Sequence, residues 1–351
     1  MQSRFRISGS LLLFVMATAC ALAAAPGCLR SPDCNNTDTT CNSIALTALL
    51  SAVGTADSTG GTTATWILVG DGGKIYTSPD ALTWTDVSPA SATNLRGVAH
   101  GAAGFVAVGV SGRITLSPTG AAGTWTEQTS GTVDELKAIA YDPNTGTYAA
   151  VGGQGGTSDL ILTSTDGITW VDRTLALPDQ FSKITYTGSE FVAVGRGGVT
   201  ADSSDGVTWN GGTAGGFDWS AVAFGGGVLL AENGAGGLHT APNRTGLPNA
   251  TGSHTAANLE SACYYASGPF FILGGDTGTI FTSAAGVGVA TVRTATPTDV
   301  IWNLTSDGQR VIAAGGSGEV STSEDGLNWS VSVVGGGSAF RGVAYGLVPT
   351  Q

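Results

Sequence analysis

Histidine is nearly missing from this 351-residue sequence: only His100, His239 and His254 occur, and none sits in a catalytic or metal-ligating motif. Charge is scarce too. Asp, Glu, Lys and Arg make up 11% of the chain and balance at −12, which argues against general nucleic-acid binding through phosphate neutralisation. Beyond the N-terminus there is no long apolar run, so no later segment reads as a membrane span. Cysteines number five, without zinc-knuckle spacing. What is plentiful is glycine, 55 residues, alongside Thr and Val, a vocabulary of short strands joined by tight turns.

The N-terminal run reads as an export signal over residues 1–23. Arg4 and Arg6 precede Leu11-Leu-Leu-Phe-Val-Met16, and small residues come after it. Two processing routes fit. Cleavage near Ala23 gives a secreted or periplasmic protein, whereas Ala17-Thr-Ala-Cys20 resembles a lipobox with Cys20 acylated, giving an outer-membrane or cell-surface lipoprotein. Cys28, Cys34, Cys41 and Cys263 remain as disulfide candidates in an exported chain, with a buried free thiol the alternative for Cys263. Residues 24–61 read as a polar, cysteine-containing tether, in which Ser43-Ile-Ala-Leu-Thr-Ala-Leu-Leu50 fits either two helical turns or a strand.

The remainder repeats. Ile161-Leu-Thr-Ser-Thr-Asp-Gly-Ile-Thr-Trp170 reads as strand, turn and returning strand: Ser164, Asp166 and Gly167 make the turn and Trp170 anchors the returning strand. The figure recurs at Ser78, Asp80 and Trp84, at Ser203, Asp205 and Trp209, and at Ser323, Asp325 and Trp329. A looser copy runs from Ser117 to Trp125. Thr240 and Ser283 open turns that have lost both Asp and Trp. These seven positions lie 37 to 47 residues apart, the period of propeller blades. Each unit adds an entry strand such as Leu95-Arg-Gly-Val-Ala99 and a second strand such as Phe105-Val-Ala-Val-Gly109. The fold expected over 62–348 is therefore all-β, a seven-bladed β-propeller of four-stranded antiparallel blades. One entry strand, Phe340 to Tyr345, is left over and is expected to close the first blade; the rival for that place is Leu46 to Val53.

The Ser-x-Asp-Gly-x-Thr-Trp turns resemble the Asp-box, or bacterial neuraminidase repeat, one residue shorter than its commonest form. With seven units and Val-Gly-x-x-Gly turns, the region is similar to the propellers of photosystem II stability/assembly factors and to bacterial envelope lipoproteins carrying them. The box itself is structural, and propellers host unrelated activities. Asp-boxes also head sialidases, but the only Phe-Arg-Ile is Phe5-Arg6-Ile7, inside the signal and followed by Ser8 rather than Pro. No catalytic residue, cofactor or metal is assigned.

One constellation points to binding. The residue after the first hydrophobe of each entry strand, read around the ring, is Arg341, Arg96, Lys137, Ser182, Ser220, Glu260 and Ile301. Lys74 and Arg113, in the Gly-rich turns of the first two blades, fall on the same face. Arg96, Arg341, Lys137, Lys74 and Arg113 thus form a candidate basic mouth in an acidic chain, suited to an anionic ligand or acidic partner. The bland reading is a solvated rim paired with Asp71, Asp134 or Glu135. The function expected is a non-catalytic binding or assembly scaffold of the cell envelope. Its partner would be another envelope protein or an anionic small ligand, with no nucleic acid, membrane contact only through an N-terminal lipid, and a monomeric chain. The alternative is a carbohydrate-active enzyme or lectin.

Overall fold

The computed structural model describes residues 61–350 except 155–157, 248–249, 254–257, 285–287, 290 and 294–296. The export signal, Cys20, Cys28, Cys34, Cys41 and the 43–53 segment lie outside the described residues. Seven antiparallel sheets succeed one another along the chain. Their first strands are Leu95–Gly101, Leu136–Asp142, Phe181–Tyr186, Ala221–Gly225, Leu259–Tyr265 and Ile301–Ser306 for blades 2 to 7, and Phe340–Pro349 for blade 1. These first strands touch in sequence around a ring, with blade 7 meeting blade 1. All seven blades have four strands, and that of blade 5 gains a fifth, Gly288–Val289, pairing in parallel with Ala250–Ser253.

The ring closes with the C-terminal strand. Phe340–Pro349 pairs with Thr62–Gly70, from Thr62 opposite Pro349 to Gly70 opposite Phe340, and Thr350 N–H donates to the Gly61 carbonyl at 2.7 Å. The 46–53 rival for the first blade's inner place is thereby excluded.

The second strands show why blades stack. In Phe105-Val-Ala-Val108, Phe105 and Ala107 enter the core shared with blade 1, while Val106 and Val108 enter the core shared with blade 3. A strand buried on both faces reads as a continuous apolar run, and its period of two sends alternate residues to opposite neighbours. Each blade interface has a hydrophobic cluster of this kind, as between blades 7 and 1, where Trp66, Leu68 and Phe340 meet Ile312 and Val320.

The Ser-x-Asp turns form as the sequence implies. Asp166 Oδ1 accepts from Ile168 N–H at 2.8 Å, Thr169 N–H at 2.7 Å and Ser164 Oγ at 2.9 Å, while Gly167 N–H donates to Ser164 Oγ at 2.8 Å. Asp80, Asp205 and Asp325 repeat the pattern with Ser78, Ser203 and Ser323. These bonds hold Asp80, Asp166 and Asp205 down to about 2, below the ordinary carboxylate range. In blade 6, where the Asp is lost, Ser283 Oγ is buried without a partner among the described residues. The indoles divide: Trp170 and Trp209 donate to Gly167 and Gly206 carbonyls at 3.2 Å, whereas Trp84 and Trp329 Nε1 have no partner among the described residues.

Candidate functional site

The glycine ending the second strand in six of the seven blades builds one mouth of the ring; in blade 5 that strand, Val228–Glu232, ends in Glu232. A Cβ on Gly109 would lie 2.1 Å from the Asn94 carbonyl oxygen, the backbone immediately before the inner strand of blade 2. Only glycine admits that approach, and Val110 N–H then donates to the same carbonyl at 3.0 Å. Pinned there, the inner strand bulges: Leu95 pairs with Gly109 but Gly97 with Val108, leaving Arg96 as the extra residue. A bulge re-aims a side chain, here toward the axis. The same shift leaves Arg341, Lys137, Ser182, Glu260 and Trp302 at the mouth in their blades.

Together these residues line a cavity of about 880 Å³. Arg96 donates to Asp71 at 3.0 Å and to Glu135 at 2.6 Å, and Arg341 donates to Asp71 at 3.0 Å. The Arg341 guanidinium also lies 4.0 Å over the Trp302 ring, a cation–π contact. Lys137 stands 4.0 Å from Glu135 and makes no hydrogen bond among the described residues; burial pushes its pKa down, opposed in part by Glu135. Lys183 lines both this cavity and the channel beneath it, and its Nζ crosses from blade 4 to donate to the Trp302 carbonyl of blade 7 at 3.2 Å. Burial lowers the Lys183 pKa. Across the ring, burial pushes the Glu260 carboxyl up, relieved in part by Lys183. Arg196 faces Asp218 at 3.8 Å on the rim.

The structure thus brings together Arg96, Arg341 and Lys137 and separates the other two cations expected beside them. Lys74 pairs with Asp86 on the outer strand of blade 1 at 2.8 Å. Arg113 is buried between Glu127, at 2.8 Å, and the Thr93 carbonyl, and lines a separate groove. Both immediately precede third strands, Ile75–Ser78 and Ile114–Ser117, and their side chains turn toward the outer strand rather than the axis. At blade 7 the ring position belongs to Trp302, not Ile301: Ile301 is the paired hydrophobe, opposite Gly315, and is buried. Lys183 and Arg196 complete the cationic side. Lys183 was findable as the second basic register of the entry strand, Phe181-Ser-Lys183, while Arg196 sits in a turn whose direction the sequence does not encode. Cys263, in the inner strand of blade 6, is a free thiol that burial pushes up to about 12, so it stays protonated.

No protein-family model matches the chain, and no curated protein matches it. Solved structures do. YCF48 from Cyanidioschyzon merolae superposes with a TM-score of 0.55 at 16% identity, covering 71% of this chain and 88% of that one. YCF48 bound to D1 peptide gives 0.53 at 16%, covering 74% and 94%. A chain of the nidogen/laminin complex gives 0.52 at 12%, covering 80% and 98%. At such identities the likeness is one of fold, and the resemblance to the assembly-factor propellers holds at that level.

Proposed function

We propose that this protein is a non-catalytic binding scaffold, exported to the cell envelope, that receives acidic groups of a partner at the bulge-lined mouth. The observation behind the reading is a concentration of charge. Arg96, Lys137, Lys183, Arg196 and Arg341, five of the fourteen basic residues, line one cavity, against Glu135, Asp218 and Glu260 in the same lining and Asp71 paired to the two ring arginines. In a chain of net −12 such a patch focuses an anionic group locally against the global field. The cavity lies at the upper end of the usual size of ligand sites. A propeller of the same fold is known with a peptide bound, which supports a polypeptide partner.

The test is fluorescence anisotropy with a labelled Glu-rich peptide against the wild type and a Lys137→Glu/Arg196→Glu variant. Neither lysine nor arginine holds a close internal ion pair, so the variant is expected to fold. The wild type should bind with clear salt sensitivity, and the variant about tenfold or more weakly. Absence of salt-sensitive binding, or equal binding by both proteins, overturns the reading.

A further inference from the structure

The mouth is not uniformly basic. Around the ring, blades 1 to 4 contribute all five cations, while blades 5 to 7 contribute Asp218 and Glu260, the amides Asn233 and Asn258, and the aromatic Phe217 and Trp302. Two of its charges stand out for what they lack. Lys137 makes no hydrogen bond among the described residues and reaches its closest carboxylate, Glu135, only at 4.0 Å. The Glu260 carboxylate has neither a hydrogen bond nor an ion pair among the described residues, although the cavity encloses it. They occupy the same bulge position in blades 3 and 6, on opposite sides of a seven-membered ring.

From this opposition we infer that the mouth recognises a polypeptide segment of mixed charge, whose acidic group meets Lys137 and whose basic group meets Glu260. This rests on the reading above and adds the second half of the recognition. Enclosed charges without a close partner are costly, and a ligand that supplies both counter-charges recovers that cost at both ends. The other mouth charges are engaged within the protein: Arg96 and Arg341 share Asp71, and Arg96 also holds Glu135. They shape the field, and the two unengaged groups set the polarity. The arrangement also orients the ligand, because reversing it places like charges together at both ends. Burial already disfavours the charged form of both groups, and Glu135 for Lys137 and Lys183 for Glu260 offset it only in part.

The experiment compares capped synthetic peptides of equal length: one with Glu at one end and Lys at the other across glycine spacers of graded length, one with Glu at both ends, one with Lys at both. For the wild type, the mixed peptide of best-fitting spacer should bind about tenfold more tightly than the all-Glu peptide. Glu260→Gln should weaken the mixed peptide and tighten the all-Glu one, so that the two affinities converge. Lys137→Met should weaken both. An all-Glu peptide that binds wild type as tightly as the mixed one overturns the mixed-charge inference and leaves the acidic-partner reading standing. Failure of every acid-bearing peptide to bind overturns both. Should either variant fail to fold by its thermal melt, the wild-type peptide series alone decides.

Discussion

His100 stands where neighbouring blades place Tyr141, Tyr186, Tyr264 and Tyr345, near the end of the inner strand remote from the bulge. Its ring lies 4.6 Å from Phe105 and fills the space left by Gly346 of blade 1, where a Cβ would meet it at 2.2 Å. Tyr141 fills the space over Gly101 of blade 2 in the same way. Using an imidazole there has a pH consequence. Burial pushes the His100 pKa below 6.5, so protonation favours the unfolded chain. Stability from this site is complete above the unfolded value of about 6.5 and declines as pH falls from there toward the lower folded value. The melting temperature should therefore drop between pH 7.5 and 5, and His100→Tyr should reduce the drop. His239, lowered by its own burial, adds a residual slope of the same sign, and Glu190 and Glu260, raised by burial, oppose it. All three are common to both proteins, so the difference between the two calorimetric pH profiles isolates His100. Parallel profiles would refute the assignment.

At the level of the element, the Ser-x-Asp turn was legible because everything it needs lies within a few residues. One carboxylate oxygen of Asp166 accepts two amides and a hydroxyl, and no distant contact is required. Asp166→Ala should accordingly cost about 1–2 kcal/mol, read as a lower urea midpoint at unchanged slope. The equivalent change at Asn243, in a blade that lacks the Ser-x-Asp turn, should cost less; equal losses would show that the turn is held by packing instead. The bulge was legible only in part. Its position in blades 1 to 3 is fixed by a single hydrophobe before the basic residue, but Val300-Ile-Trp302 offers three in a row, and only the pairing of Ile301 with Gly315 settles which one turns inward. Lys74 and Arg113 went astray for a related reason. The start of a third strand can turn toward the axis or toward the outer strand, and the carboxylates that decide it, Asp86 and Glu127, lie twelve and fourteen residues away.

For the whole molecule the sequence pointed to the topology, since a repeat with one strand too many at its end matches the missing strand at its beginning better than Leu46 to Val53 does. What it could not contain is how much of the ring rests on that strand. Phe340 and Val343 belong to the core between blades 7 and 1, and Ala344 and Val348 to the core between blades 1 and 2. Tyr345 packs its ring 4.8 Å from Trp66. Removing residues 340–351 thus strips apolar contacts from two interfaces at once and leaves Thr62–Gly70 as an exposed edge. At about 1.5–3 kcal/mol for each large buried apolar side chain, loss of Phe340, Val343 and Val348 alone amounts to roughly 5–9 kcal/mol. That is comparable with the total stability of an ordinary domain, about 5–15 kcal/mol, so trimming the end is not a local change. The truncated chain should lose its cooperative thermal transition. A synthetic peptide of residues 340–351, added in excess, should restore it in proportion to its concentration, as any ligand specific for the folded state does. A truncated chain that melts cooperatively within a few degrees of the full one would mean that seven blades stack well enough without the closing strand. The exposed edge of blade 1 should then be sought as a site of association between copies.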